Sequence, residues 1–473
     1  IIAALAEHAL GRPGHALQRI ESLLEMDALD LWARWLLSSW SDSMDRAEFT
    51  RLSRNDAQTI LDLAFDFTDL GLASLAVELL EWHHACAVEP VAVPNPMERS
   101  AMTYYALAWC QEAVGHSAAA RATLVEAKGQ STDYLFPSRL QEQMVLQWAL
   151  AQDSNDASAA YGLGNFCYDR KRHEAAISYW EIAAQARPEH ATNQRNLGIA
   201  YWNVRGDAPA ARNAYLRALS AAPDEPRLIA EYDQLSEKLG DSVEDRIAFM
   251  EPRLEYVLQR DDACVEWVSL LNTSGRSEEA LALLEGRRFH PWEGGEGKVL
   301  RQYTQACLHL GAANLPSDPK ASLAYFERAL TIPENLGEAY HLHQAKSDVN
   351  YWKGRALRQL GNEEAAVEAF EAAAAEGGDF QQTSVIEHSP LSLYRGLALV
   401  QLGRIDDARD LFHDLQRFAE AEQQRVARID YFATSLPNLL VFDEDLEMTK
   451  NAAAASLLDD AQCGLEALLK WQQ

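Results

Sequence analysis

Apolar residues recur at helical spacing along most of the chain. Ile60, Leu63, Ala64 and Phe67 are typical: three or four positions apart, they form one stripe on a helix. A glycine ends the stripe and a second stripe begins. Five positions after the glycine stands an alanine, and four beyond that a large apolar residue. This mark occurs at Gly11/Ala16/Ile20, Gly71/Ala76/Leu80, Gly115/Ala120/Leu124, Gly206/Ala211/Tyr215, Gly275/Ala280/Leu284, Gly361/Ala366/Phe370 and Gly403/Ala408/Phe412. Each residue type has a physical reason. Glycine ends a helix in a left-handed conformation that is costly for other residues. Alanine allows a close helix crossing, and the large residue fills the groove one turn on. The pattern predicts helix–turn–helix units in series, with no strand-like alternation.

One unit is written out in full. Tyr161-Gly-Leu-Gly-Asn-Phe-Cys-Tyr, with Ala176, Trp180, Ala183 and Pro188, returns about 35 positions later as Leu197-Gly198, Tyr201, Ala211, Tyr215, Ala218 and Pro223. This period and these residues resemble the tetratricopeptide repeat, closely over 157–223 and recognisably over 56–130 and 261–416. The resemblance implies an all-α fold, a right-handed superhelical solenoid of tetratricopeptide-type helix-turn-helix repeats. Such a fold presents a surface more than a pocket, which points towards binding.

The marks divide the chain into divergent helical repeats over 1–99, central repeats over 100–260, further repeats with loop insertions over 261–443, and closing helices over 444–473. The unit near 226–260 lacks the marks, although Leu228, Tyr232 and Leu235 keep a stripe. Segments 86–99 (with Pro90, Pro94 and Pro96), 286–297, 311–319 and 376–390 read as loops or insertions.

Composition narrows the partners. With 42 Lys and Arg against 71 Asp and Glu, the net charge is −29. That surface repels phosphate backbones and anionic lipid, which argues against nucleic acid and membrane. It either keeps a large helical surface in solution or recognises basic or polar ligands. No apolar run approaches the length of about 18 residues that a membrane span needs. Six scattered cysteines without a CxxC pair read as reduced core thiols, with no metal and no cofactor, in a cytoplasmic protein. The chain starts Ile-Ile-Ala-Ala-Leu-Ala-Glu, already inside an amphipathic pattern, which reads as a piece of a longer protein.

Three places carry candidate chemistry. Asn165 and Asn196 occupy first-helix positions that face the concave groove in such repeats, where amides can bond an extended peptide; Arg227 fits a basic position beside them. Repeats of this kind that clasp a carboxylate tail use two asparagines with Lys and Arg, but Tyr161 and Glu231 stand at two of those basic positions. Loop Arg287–Gly297 combines His290, Trp292, Glu293 and Glu296 with three glycines, and Glu334, Glu338, His341 and His343 follow one repeat later. Either Phe289 and Trp292 plug the array, or the loop contacts another domain, or its indole and carboxylates hold a sugar. His341 and His343 are two apart and would diverge on a helix. His83 and His84, beside Trp82 and Cys86, read as structural. No phosphate loop, nucleophile elbow or HExxH is present, so no catalytic residue is assigned.

Arg287–Gly297, Pro333-Glu-Asn-Leu-Gly-Glu338 and Phe136-Pro-Ser-Arg-Leu140 together resemble a group of large bacterial proteins of unassigned function. In that group the repeats form the C-terminal half, behind a β-sandwich similar to mutarotases and glycosidases. Two readings stand. One is an interaction scaffold that binds a protein, a peptide or its own missing N-terminal domain. The other is the helical half of a carbohydrate-active enzyme, with loop 287–297 completing a sugar site.

Overall fold

The computed structural model describes residues 1–41, 46–86, 100–292, 294–375, 377–381, 384–428 and 440–471. The chain forms two compact units, Ile1–Ala200 and Tyr201–Gln473. Helices account for nearly all regular structure among these residues. In the first unit they begin with α1 (Ile2–Ala9), α2 (Pro13–Met26), α3 (Leu31–Trp40), α4 (Ala47–Ser53), α5 (Ala57–Asp69) and α6 (Ala73–Ala85). They continue with α7 (Ala101–Ala113), α8 (Ser117–Gly129), α9 (Leu140–Gln152), α10 (Ala157–Asp169), α11 (His173–Ala186) and most of α12 (Ala191–Asn203), whose residues from Tyr201 belong to the second unit. The second unit holds α13 (Ala208–Ala221), α14 (Pro226–Lys238), α15 (Val243–Met250), α16 (Leu254–Val257), α17 (Asp261–Thr273) and α18 (Ser277–Gly286). After these come α19 (Lys298–Asn314), α20 (Pro319–Leu330), α21 (Ser347–Gln359), α22 (Glu363–Ala375), α23 (Leu391–Gln401), α24 (Ile405–Gln424) and α25 (Leu446–Trp471).

The repeated mark explains the pairing. All seven marker glycines have positive φ, from +61° at Gly206 to +83° at Gly115. After six of them the following residue bonds back to the carbonyl five positions earlier, as from Leu72 to Phe67 (2.8 Å), His116 to Gln111 (2.8 Å) and Asn362 to Leu357 (3.0 Å); after Gly206 the bond spans six, from Asp207 to Tyr201 (2.9 Å). This satisfies carbonyls that the helix end leaves open. Every marker alanine and every large partner is buried. In the repeat 157–188 the left-handed position belongs to Lys171, at φ +57°. There the second helix comes so close that a Cβ on Gly164 would lie 2.3 Å from the Trp180 ring.

The unit after Pro226 is a variation on the repeat. Gly240, at φ +78°, does end α14, so this unit keeps its turn glycine. Its turn is one residue longer, however, and α15 is capped by Ser242. Counted from the cap, the position held elsewhere by the marker alanine falls on Arg246. That guanidinium is buried and forked onto Asp233 (2.8 and 2.9 Å), with Glu237 at 3.0 Å and Glu266 at 4.0 Å.

Other expectations are corrected. Residues 311–314 belong to α19, so the loop at 311–319 is shorter than the sequence suggests. Gly311 makes no turn; Phe326 packs on it, with an added Cβ 2.3 Å from the ring. Within 376–390 two three-residue strands, β1 (Asp379–Gln381) and β2 (Ser384–Ile386), pair antiparallel. Of the proline segment, residues 87–99 lie outside the described residues.

Four cysteines are buried, Cys86 is half-buried and Cys463 faces solvent. Cys463 therefore is not a core thiol. The last helix, α25, buries only the stripe Ala454, Leu457, Ala461, Gly464 and Leu468, against α24 and the end of α23, and Cys463 lies off it. Among the described residues no helix is long and apolar enough to cross a membrane.

Candidate functional site

Loop 287–297 is tied to the segment one repeat later. The Phe289 amide donates to the Asn335 carbonyl at 2.8 Å, and the Asn335 side chain donates to the carbonyls of Leu284 (2.8 Å) and Arg287 (2.6 Å). Glu338 accepts from the backbone amides of Gly297 (2.7 Å) and Leu300 (2.9 Å), which open the first turn of α19. A carboxylate there meets the helix dipole and two amides with no partner inside the helix. Phe289 and Leu336 are buried under this junction. The Trp292 ring lies on Gly295, where an added Cβ would be 2.1 Å away.

The remaining candidates here are dispersed. His290 is three-quarters exposed; its backbone amide donates to Asp261 at 2.9 Å. Asp261 also takes the Arg287 guanidinium. Burial raises the Asp261 carboxyl, but Arg287 and the His290 amide outweigh it and hold it below the usual range. Glu296 and Glu334 are exposed, and Glu296 accepts from the Gly294 amide at 2.9 Å. His341 stacks on Phe380, with centroids 3.7 Å apart. His341 and His343 are not helical; their rings are 5.6 Å apart. Glu293 lies outside the described residues.

The asparagines have a more specific setting. Between α8 and α9 the chain runs without helix from Gln130 to Arg139 and crosses α10. Thr132, Leu135 and Pro137 turn inwards; Tyr134, Phe136 and Ser138 face solvent. The Asn165 side-chain amide donates to the Leu135 carbonyl at 2.8 Å, and its oxygen accepts from the Trp180 indole at 3.1 Å. Asn196, on α12, points its amide at that same oxygen, 3.4 Å away. Arg170 donates to the Ser138 carbonyl at 2.7 Å.

His190 holds the other end of this crossing. Its Nδ1 accepts from the Asn193 amide at 3.2 Å, which leaves the proton on Nε2 to donate to Thr132 Oγ1 at 2.8 Å. Burial, then the nearby Arg187, pushes the His190 pKa down and favours this neutral form. Beyond the crossing, Arg139 reaches α5, where it bonds Asp62 (2.6 Å) and Gln58 (2.7 Å). Thr132, Leu135, Arg170 and His190 were not singled out in the sequence. Their partners lie about 30 to 60 positions away, and nothing periodic links them.

Arg227 belongs to the second unit. It donates to Glu231 at 2.8 Å, and the buried Glu231 also accepts from the Tyr215 hydroxyl at 3.0 Å. His83 is buried, with Nδ1 2.7 Å from the Asn55 amide oxygen, while His84 stacks on Tyr104. Among the described residues, no cluster of His, Cys, Asp and Glu is placed to hold a metal ion.

The family model "Tetratricopeptide repeat" matches residues 347–375. That stretch is α21 and α22, joined at the marker Gly361/Ala366/Phe370. The fold is thus an all-α series of tetratricopeptide-type repeats. Among solved structures, the chain is similar to YrrB, described as a TPR protein with an unusual peptide-binding site: 16% identity over 49% of this chain and 91% of that one, with a TM-score of 0.28. It is also similar to MamA (19% identity, 46% and 94% coverage, TM-score 0.19). The TPR domain of P58(IPK) covers more of the chain, at 12% identity, 85% and 97% coverage and a TM-score of 0.22.

Proposed function

We propose that this chain is an interaction scaffold that holds an extended segment of a protein partner against the first helices of its repeats. The observation that carries the reading is the Asn165 amide on the Leu135 carbonyl, flanked by Arg170 on the Ser138 carbonyl. Side chains of the repeat face here grip backbone carbonyls, groups that every peptide carries. Asn196 sits beside Asn165 on the next first helix and extends the same chemistry. Backbone contacts of this kind give affinity, and pockets for alternate side chains give selectivity. Loop 287–297, by contrast, commits Glu338, Asn335 and Trp292 to internal contacts, which supports the scaffold reading over a sugar site there.

Selection of random dodecapeptides against the full chain tests this reading. Peptides so obtained should lose at least tenfold in affinity with Asn196→Ala while the melting temperature stays within a degree or two. Peptides that bind the Asn165→Ala/Asn196→Ala chain as well as the original would overturn it.

A further inference from the structure

The geometry points to a groove that is occupied by the chain itself: we propose that residues 130–138 are a resident ligand, docked in cis on α10, which a partner peptide must displace. This rests on the scaffold reading and adds its regulation. Three observations support it.

The crossing is built like a bound peptide. From Leu135 to Ser138 the side chains alternate inwards and outwards, as an extended segment on a surface does. Its carbonyls at Leu135 and Ser138 are taken by side chains of the repeat. Its inward side chains fill places a ligand would fill. Leu135 lies against Gly162, where an added Cβ would meet the Leu135 side chain at 3.3 Å, and Thr132 takes the His190 donor.

The segment does not hold itself together. Its internal backbone bonds are the local ones from Leu135 to Thr132 (3.1 Å) and Phe136 to Tyr134 (2.9 Å). Tyr134 stands at φ +60°, a conformation that a non-glycine residue keeps only where its surroundings impose it. Its remaining bonds are mainly to side chains, among them the Ser138 amide to Glu142 at 2.7 Å, and a segment outside any helix or sheet opens below the free energy of global unfolding.

The segment also carries its own handles. Tyr134 and Phe136 are 55% and 63% exposed although both are aromatic. The segment is tethered at both ends, by α8 and by Arg139 on α5, so it returns at a high effective concentration. A competitor binds only the fraction of molecules whose groove is open, and its apparent affinity falls by that fraction. The partner expected is an extended segment of the same chemistry: a threonine or serine, a leucine-like residue three positions on, and a proline two beyond it.

The probe is a fluorescein-labelled peptide of residues 129–139, titrated by anisotropy into the full chain, into Thr132→Gly/Leu135→Gly, and into that variant with Asn165→Ala. Circular dichroism and the melting curve check that each chain is folded. The weakened segment should raise affinity at least tenfold, and Asn165→Ala should remove the gain. Equal binding to the original and weakened chains, abolished by Asn165→Ala, would overturn self-occupancy and leave the scaffold reading standing. Absence of binding to any folded chain would overturn both on this face, and a gain indifferent to Asn165→Ala would overturn the site. Should the glycine variants fail to fold, hydrogen exchange decides on the original chain: millimolar peptide should speed exchange at Leu135 and Phe136 about tenfold, and unchanged exchange would overturn the proposal.

Discussion

The side-chain amide of Asn165 donates to the backbone carbonyl of Leu135, 30 positions away in sequence and 2.8 Å away in space. The same asparagine accepts from the Trp180 indole, so it joins the crossing segment to the closely packed pair α10 and α11. Asn165→Ala would take the Asn165 bond from three groups, the Leu135 carbonyl, the Trp180 indole and the Asn196 amide. A loss of about 1–3 kcal/mol is expected. Urea unfolding gives the size of the loss, and hydrogen exchange shows whether residues 130–138 loosen first.

The marker positions make a sharper claim. Ala176 and Ala211 are fully buried where helices cross closely, so Ala176→Leu or Ala211→Leu should cost about 1–3 kcal/mol. Lys171→Gly should do the opposite, raising stability by about 0.5–1 kcal/mol, because the site already has a left-handed φ. Thermal melts of the three variants test the register; an unchanged Ala211→Leu protein would contradict it.

Arg246 is the exception that the repeat absorbs. Arg246→Ala leaves Asp233 buried and unpaired and should cost about 3–5 kcal/mol. Arg246→Met combined with Asp233→Leu should recover most of that loss, which a double-mutant cycle measures. Burial raises the pKa of neighbouring Glu266, with Glu237 and Asp233 adding to the shift. A raised carboxyl favours the fold at low pH and loses that advantage as pH rises through the folded value. Glu266→Gln should therefore stabilise the chain at pH 7 and make no difference in acid; an equal effect at both would contradict the assignment.

His190 works in the other direction. Its depressed pKa means that the neutral form belongs to the folded state, so its contribution is complete above about pH 6.5 and falls away as pH drops through the folded value. Protonation would set Nδ1–H against the Asn193 amide it now accepts from. Arg187, Asp133 and Glu189 are the charged neighbours. Protection of residues 130–138, measured against the intrinsic exchange rate at each pH, should fall between pH 7 and pH 5 in the original chain, and His190→Gln should flatten that dependence.

Glu338 and Trp292 are expected to be structural. Glu338→Ala removes the acceptor at the start of α19 and should cost about 0.5–2 kcal/mol. Trp292→Ala uncovers Gly295 and should also lower the melting temperature. A loss of sugar or partner binding with unchanged melting would move the loop back among the binding sites.

What could be read from the sequence follows from chemistry. Gly361, Ala366 and Phe370 each have a narrow physical reason to stand where they do, so their spacing reveals the helix pair. Gly311 shows the limit: a glycine required by the Phe326 ring looks, in sequence, like one required by a turn. One added residue in the turn at Gly240–Ser242 moved Arg246 into the alanine position and hid that repeat. Three-residue strands are too short for alternation to register. Asn165 stood out in the sequence. Its partner did not, because Leu135 lies in an aperiodic stretch and offers only a carbonyl, which every residue has.

The central claim is that the face carrying Asn165 and Asn196 is where a partner peptide lies. The most direct measurement is the NMR signal of these two side-chain amides during titration of a selected dodecapeptide into the full chain. Saturable shifts of both, with the midpoint of the binding curve, are predicted. Binding that leaves both signals fixed while resonances elsewhere move would contradict it.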